Sequence, residues 1–209
     1  MKAKIAVVAA AVLVLGARTA EGGWHVGFFG GYVVPLDASY AGAPGYGASF
    51  GLDLVRNLSL DVSLARWQST VTASTSGLSA GTLAVVPIEV GLTARLPLAG
   101  AKLAAWAGFA GGYALPTFTY DSTAAAAWTA VGFSVAEKVQ GGPCFSVMGG
   151  LDYALSPSAS LGLEARYRMM KASGTWSMSD LHGGLTTSGT LDSLSFDALT
   201  VGLAVRIGI

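Results

Sequence analysis

Charged residues are scarce in this sequence. The chain of 209 residues contains 12 lysines and arginines and 12 aspartates and glutamates, together 11% of the total, whereas typical soluble domains contain about 25%. The formal net charge is zero, so no basic field indicates a nucleic-acid partner. Hydrophobic residues make up 52% of the chain, which is too many for a disordered protein. The composition therefore excludes a nucleic-acid-binding protein and a disordered tail, and it lacks the charged surface of an ordinary soluble domain.

Cysteine and histidine are almost absent. Cys144 is the single cysteine, and His25 and His182 are the two histidines. One cysteine cannot form a disulfide framework or a cysteine-rich metal site. We therefore expect no metal and no cofactor. His25 follows Trp24 at the start of the first apolar run, and we expect the two side chains to form an interfacial aromatic pair.

The sequence also lacks an apolar run of the roughly 20 residues that a transmembrane helix requires. The apolar run 5–15 is shorter, follows Lys2 and Lys4, and precedes small residues. This order is typical of a secretory signal peptide. We expect a signal peptide over residues 1–22, cleaved after Ala20 or Gly22, and a single mature domain over residues 23–209.

Strict alternation is the dominant pattern of the mature chain. In the last run, LTVGLAVRIGI, large apolar residues alternate with small or polar ones, so a strand would have one continuous apolar face. The same two-residue period recurs in seven earlier runs, although the register of the first is ambiguous because Phe28 and Phe29 are adjacent. These runs cover residues 23–34, 46–55, 58–67, 82–96, 102–115, 143–155 and 159–169.

The connections between the eight runs alternate between long and short. Short turns occupy residues 56–57, 97–101 and 156–158, and longer loops are predicted near residues 35–45, 68–81, 116–142 and 173–193. Within the third loop, TAAAAWTAVGF predicts a short helix or a strand extension. Transmembrane β-barrels have this asymmetry, and their strands must close because no backbone group can stay unpaired in lipid. The sequence predicts an all-β fold, an eight-stranded antiparallel up-and-down transmembrane β-barrel.

Ten charged residues within the cores of the predicted strands lie on the face opposite the large apolar side chains. A soluble sandwich would instead point its apolar face inward and its charges toward water. Eight strands enclose an interior that side chains can just fill, so we expect a closed lumen in which these charges pair, because unpaired buried charges are costly. The predicted lumenal ionic network consists of Asp53, Asp61, Glu89, Arg95, Lys102, Asp152, Glu164, Arg166, Arg168 and Arg206.

Aromatic residues recur near the ends of the predicted strands. Transmembrane β-barrels carry girdles of such residues at both membrane–water interfaces. We therefore expect Trp24, Trp67, Tyr113, Tyr153 and Tyr167 to lie in these girdles.

Three parts of the chain resemble the small outer-membrane β-barrel superfamily of the OmpX and OmpW kind. VPIEVGLTARLPL is similar to the fourth strand and turn of these barrels, and LDYALSPSASLGLEARYRM to their sixth and seventh strands. The family ends on an assembly signal with a polar residue, a glycine and spaced apolar residues, usually closing on Phe. The residues here that fit the spacing, two positions early, are Thr200, Gly202, Val205 and Ile207, and the chain closes on Ile209.

The resemblance implies a location and a set of partners. It implies a monomer in the bacterial outer membrane, surrounded by outer-membrane lipid and lipopolysaccharide and inserted by the barrel-assembly machinery. We expect a non-enzymatic protein with a structural or surface-interaction role through its extracellular loops. A narrow channel for small or hydrophobic molecules, which the OmpW likeness allows, stays open. A lipid-A-modifying enzyme stays open as well, for which Asp180, His182 and a serine would have to assemble.

Overall fold

The computed structural model describes residues 23–72, 80–98 and 102–208. The predicted signal peptide and Ile209 lie outside these residues. Within them the chain forms ten strands and one helix. The strands are β1 (Trp24–Pro35), β2 (Ala43–Val55), β3 (Leu58–Val71), β4 (Gly81–Pro97), β5 (Leu103–Tyr120), β6 (Phe133–Gln140), β7 (Gly142–Ser156), β8 (Ala159–Asp180), β9 (Thr186–Ser195) and β10 (Ala198–Gly208), and the helix is α1 (Ser122–Ala130).

Eight of the strands close into a barrel. Each pairs antiparallel with its neighbour in the order β10-β1-β2-β3-β4-β5-β7-β8, and the pairing of β8 with β10 completes the circle. The predicted eight-stranded antiparallel barrel is therefore confirmed. The short turns and both described chain ends lie at one end of the barrel, which we call the periplasmic end, because outer-membrane barrels have their short turns there.

Strands β6 and β9 extend the barrel wall at the opposite, external end. The lower half of β8 pairs with β7 and β10, whereas its upper half pairs with β6 and β9. A single residue separates β6 from β7, and two residues separate β9 from β10. We call β6, β9 and residues 171–180 of β8 the upper wall. At the second break, the carboxylate of Asp197 accepts a hydrogen bond from the backbone N–H of Met170 at 2.8 Å.

Two predicted loops are therefore largely strand. The loops expected over residues 116–142 and 173–193 contain the end of β5, α1, β6, the end of β8 and most of β9. The prediction was wrong because these segments are rich in serine and threonine, which resemble a loop in composition. In the fold, Trp176 and Met178 alternate with serines, so the segment has an apolar and a polar face.

Helix α1 occupies the alanine-rich segment after β5. Alanine has the highest helix propensity, and Asp121 caps the helix by accepting hydrogen bonds from the backbone N–H groups of Thr123 (2.7 Å) and Ala124 (3.4 Å). The bonds to Thr123 are the largest cause that holds the pKa of Asp121 below its ordinary value of 3.8. Among the described residues, no helix is both long enough and apolar enough to cross a membrane.

The two faces of the barrel wall differ in the way the alternation predicts. On β10, Leu203 points outward and is 58% exposed, whereas its neighbour Ala204 points into the lumen and is 3% exposed.

The ambiguous register of β1 is resolved by contacts with the next strand. Phe28 points outward, and Phe29 points inward, where its ring lies against Gly47 in a space that a larger residue would fill.

The external half of the lumen contains an apolar core rather than charges. We call this cluster the apolar plug; its buried members are Val33, Tyr40, Trp67, Val71, Leu83, Val85, Ala114, Val139, Cys144, Met170, Leu194, Phe196 and Ala198. Tyr40 and Phe196 pack edge to face with ring centroids 5.4 Å apart. Trp67, expected in an interfacial girdle, is instead 4% exposed inside the plug. Its position follows from the alternation of β3, because it shares the inward face with Asp61 and Ser63.

Candidate functional site in the barrel lumen

Glu89 lies at the centre of the charged lumen. Its side chain, on β4, is almost completely buried and faces two arginines of β8. Oε2 of Glu89 lies 3.2 Å from Nη1 of Arg166 and 3.0 Å from Nε of Arg168, while the hydroxyl of Ser146 donates to Oε1. Arg166 also contacts Oε1 of Glu164 through Nη2 at 2.8 Å. Every charge in this group has an opposite partner, as buried charges require.

A second group of charges continues from the centre toward the periplasmic end. Arg206 on β10 contacts Oε2 of Glu164 through Nη2 at 3.3 Å, and its Nη1 contacts Oδ1 of Asp152 on β7. Nε of Arg95 lies 3.9 Å from the other oxygen of Asp152. The ion pairs therefore form one connected network from β4 to β10.

Aromatic rings face three of the guanidinium groups. A cation over a ring face is attracted by the ring quadrupole, more strongly where water is excluded. The pairs, measured from Cζ to the ring centroid, are Arg166 with Phe29 at 5.1 Å, Arg168 with Trp67 at 5.4 Å and Arg206 with Trp106 at 4.5 Å. These contacts add a second attraction to the ion pairs that the three arginines form.

His25 occupies the periplasmic end of the network. Its Nε2 lies 2.8 Å from Oδ1 of Asp61, and its Nδ1 lies 3.5 Å from Oδ1 of Asp53. The expected pairing of His25 with Trp24 was wrong, because adjacent residues of a strand point to opposite faces. Trp24 points outward and packs on Phe50, with ring centroids 5.1 Å apart. The sequence does contain evidence for the inward position of His25. His25 is separated from Gly27 by one residue and from Phe29 by three, so it lies on the same, inward face of the strand.

The structure brings nine of the ten predicted network residues into the lumen. Lys102 is the exception: it is exposed, it precedes the first residue of β5, and it forms no ion pair within the described part of the chain. The nine lumenal members of the predicted network are five carboxylates and four arginines, and His25 lies beside two of the carboxylates. Sequence reasoning did not single out Ser146 as a hydrogen-bonding member, because a serine carries no charge signal.

Neither histidine belongs to an arrangement typical of a metal or catalytic centre. In residues 23–72, 80–98 and 102–208, no three histidine, cysteine, aspartate or glutamate side chains come together as metal ligands would. Nδ1 of His182 lies 3.4 Å from Oδ1 of Asp180 at the end of β8, where the imidazole is 84% exposed. No serine hydroxyl among the described residues forms a hydrogen bond with this imidazole.

Open space in the lumen lies beside the charged network and at the periplasmic end. A vestibule at the periplasmic end, which opens to solvent, is lined by His25, Asp53, Arg95 and Arg206, among others. The charged network lies directly above it, and the apolar plug lies above the network. The arrangement therefore joins the strands across the lumen, with the vestibule on the periplasmic side of the network.

The outer face of the barrel carries a continuous apolar belt. On β8 and β7 it includes Leu163 (53% exposed), Phe145 (57%) and Val147 (57%), and it continues through Leu203 on β10. A monomeric soluble protein rarely exposes a contiguous apolar surface of this extent. The belt, with nearly all strand charges on the opposite face, is the surface that a transmembrane barrel presents to lipid.

Comparisons with known proteins agree with this architecture. No protein-family model matches the chain, and no curated protein is similar to it in sequence. Among solved structures, it is similar to the outer membrane protein OprG from Pseudomonas aeruginosa, with a TM-score of 0.64, 14% identity and coverage of 89% of this chain and 96% of that one. Neisserial surface protein A matches with a TM-score of 0.59, 12% identity and coverage of 88% and 96%.

A third solved structure, outer membrane protein AlkL, matches with a TM-score of 0.51, 18% identity and coverage of 90% of each chain. At these identities the likeness concerns the fold. The shared fold and the apolar belt have the same physical cause, since closed antiparallel strands leave no backbone group unpaired in lipid. This chain has the fold of small outer-membrane β-barrels, and its apolar belt is the surface of a barrel that spans a lipid bilayer.

Proposed function

We propose that this protein is a non-enzymatic, non-conducting barrel with a structural role in the outer membrane, and that its external loops and upper wall contact molecules outside the cell. The observation that carries the proposal is the closed lumen. The charged network crosses the middle of the barrel, and the apolar plug fills its external half.

The energy of the network supports a closed barrel. An ion that crossed the lumen would have to separate Glu89 from Arg168, each 1% exposed. Removing one partner from a buried ion pair costs about 3–5 kcal/mol. The ion would then meet the apolar plug, where it would lose its hydration without gaining a partner. Aqueous channels appear in barrels of about 16 strands, not in barrels of eight.

Planar-bilayer recording of the refolded protein tests the proposal. We expect no stable currents of porin size from the wild-type barrel. A Trp67→Ala/Phe196→Ala variant, which thins the plug, should conduct more than wild type. Leu203→Ala, on the lipid face, should not change the recording. Large, stable wild-type currents would refute the closed lumen.

A second candidate function is a narrow path for small hydrophobic molecules. The inner face of the upper wall favours it, because Phe133, Val135, Trp176 and Met178 line that face above the plug and are only partly buried. Glu137 shares this face, so it is not uniformly apolar. Uptake of a labelled medium-chain alkane into liposomes containing the barrel separates the two functions. Transfer faster than into protein-free liposomes supports the path, and equal rates support the structural role.

A lipid-A-modifying activity has the least support. The Asp180–His182 pair is exposed, and a catalytic histidine would need a nucleophile within hydrogen-bond reach. Incubating the purified barrel with lipid A and weighing the products by mass spectrometry tests this directly. An unchanged mass is the expected result, and loss or transfer of an acyl chain would overturn the non-enzymatic proposal.

A further inference from the structure

His25 is the residue that connects strand β1 to the charged network. No other side chain of β1 is an acid or a base that ionises near neutral pH. The imidazole crosses Gly51 on β2, where a Cβ would collide with the ring, and reaches Asp61 on β3. Strand β1 also closes the barrel, because it pairs with β10 on one side and with β2 on the other. The ionic connection of this closing strand therefore depends on a histidine.

Both ring nitrogens of His25 face carboxylate oxygens. Nε2 lies 2.8 Å from Asp61, whereas Nδ1, which is buried and forms no hydrogen bond, lies 3.5 Å from Asp53. A neutral imidazole carries one N–H group, and an imidazolium carries two. A neutral ring would therefore point a lone pair at one of the two carboxylates. The arrangement fits the doubly protonated ring.

The charges of the network favour the same protonation state. Its five carboxylates and four arginines leave one negative charge without a counter-ion when His25 is neutral, and none when His25 is an imidazolium. Asp53 forms no ion pair with any described residue other than His25. Because a charge without a partner is costly inside a protein, the imidazolium is the fifth cation that the network lacks.

The other charged groups near His25 come from further strands. Arg95 on β4 and Arg206 on β10 line the vestibule together with His25, and both contact Asp152 on β7 rather than Asp53. The vestibule opens to solvent, so a proton can reach or leave His25 from the periplasmic side. The turn between β7 and β8 adds no charge to the vestibule, and its polar side chains there are Ser156, Ser158 and Ser160.

We propose that His25 is a pH switch at the periplasmic end of the β1–β10 seam. As an imidazolium it binds Asp53 and Asp61 and so ties β1 to β2 and β3. When the pH rises, the proton on Nδ1 passes to water in the vestibule, while the N–H group at Nε2 stays bonded to Asp61. Asp53 is then released, and the start of β1 loses one of its two ionic contacts.

Histidine is the side chain whose charge changes between about pH 5 and 8. The arginines and carboxylates of the network keep their ordinary charges over this range. The switch acts at the periplasmic end, whereas the closed lumen depends on the network and on the apolar plug above it. It therefore goes beyond the proposed function.

Hydrogen exchange at the start of β1 tests the switch. Exchange of the amides of residues 24–27 would be measured in lipid vesicles at about pH 5 and about pH 8, and corrected for intrinsic rates. The protonated ring makes the contacts, so their contribution is present at low pH and lost as the pH rises. Corrected exchange should be faster at the higher pH, on the order of tenfold, because hydrogen bonds to charged groups are the stronger ones.

The second histidine of the chain provides a matched control. His25→Gln removes the titrating group, so exchange in β1 should lose its pH dependence. His182→Gln should keep it, because this imidazole is exposed at the end of β8. Heat-modifiable migration in SDS shows which variants fold. If His25→Gln does not fold, Asp53→Asn replaces it, since this variant retains the bond between His25 and Asp61 and should weaken the pH dependence.

Nitrogen NMR of the histidine rings gives a readout that packing alone would not change. Both nitrogens of His25 should be protonated at about pH 5, and one at about pH 8. A neutral His25 ring at the lower pH would overturn the proposal. Exchange that is independent of pH in the wild type, or a pH dependence that persists unchanged in His25→Gln or in Asp53→Asn, would overturn it as well.

Discussion

Arg166 on β8 reaches Glu89 on β4 across the lumen, with Nη1 and Oε2 3.2 Å apart. Two strands, β5 and β7, separate β4 from β8 in the barrel wall. Backbone pairing connects only neighbouring strands, so this ion pair is a direct tie between parts of the wall that the sheet connects indirectly. Stability should therefore depend on it more than on any outward polar residue.

Arg166→Met should destabilise the barrel by about 3 kcal/mol. Glu89 and Glu164 would each lose one cationic partner, although Arg168 and Arg206 would still contact them. Urea unfolding in lipid vesicles measures the change. Ser188→Ala, on the outer face of β9, is the control and should fall within about 0.5 kcal/mol of wild type. Equal effects of the two substitutions would contradict a structural role for the network.

The alternation of β10 makes a second prediction. Leu203→Arg, which puts a charge on the lipid face, should cost about 2–4 kcal/mol near the middle of the membrane. Ala204→Ser, one residue away on the lumen face, should have a small effect because its hydroxyl does not meet lipid. Folding into vesicles measures both. If the two variants folded equally well, the assignment of the faces would be wrong.

The two wall glycines Gly47 and Gly30 should respond differently to the same substitution. A Cβ at Gly47 would collide with the ring of Phe29 and with the carbonyl oxygen of Leu64. A Cβ at Gly30 would meet nothing closer than the carbonyl oxygen of Gly45 at 3.9 Å. Gly47→Ala should therefore cost about 1–3 kcal/mol, as overpacking does, while Gly30→Ala should be mild. Urea midpoints in the same vesicles compare them, and a larger loss at Gly30 would refute the inward placement of Phe29.

Helix α1 should lose its cap in acid. Backbone N–H groups bind the ionised carboxylate of Asp121 and lower its pKa from 3.8. A group whose folded-state pKa is lowered contributes stability above its unfolded pKa and loses it as the pH falls through the folded value. Amide exchange at Thr123 and Ala124, corrected for intrinsic rates, should therefore speed up below about pH 4.

Asp121→Asn is the control for this loss of the cap. Asparagine also caps helices but does not titrate in this range. Exchange in the variant, after the same correction, should be independent of pH. Acid-dependent exchange that persists in Asp121→Asn would mean that another group controls the end of the helix.

The alternation along each strand made most of the barrel predictable. On β4, Glu89 and Thr93 occupy odd-numbered positions, and Ile88 and Leu92 occupy even-numbered ones. The structure buries Glu89 and Thr93 in the lumen and turns Ile88 and Leu92 toward lipid. A two-residue period is local information, so a single sequence contains it. The order of long and short connections then distinguished the two ends of the barrel.

The features that sequence reasoning missed depend on contacts between distant strands. The inward position of Phe29 depends on the space at Gly47, and a run of sequence cannot show that space. The upper wall resembles a loop in composition because many of its outward residues are hydroxylic, although Trp176 and Met178 recur at the strand period. The prediction that Lys102 lies in the lumen rests only on its alternation with the apolar residues of the run. Strand β5 begins at Leu103, so Lys102 lies outside the strand and is not held in the lumen.

The buried carboxylate of Glu89 also constrains the order in which the barrel can form. Its arginine partners follow it by 77 and 79 residues in the chain. A barrel intermediate that contained β1 to β7 but not β8 would enclose this carboxylate without a counter-ion. Such an intermediate would be unstable in lipid. Strands β1 to β7 therefore cannot form a stable inserted barrel before β8 is added. Insertion of this barrel should therefore be a single cooperative event, completed when β8 arrives, rather than a hairpin-by-hairpin accumulation.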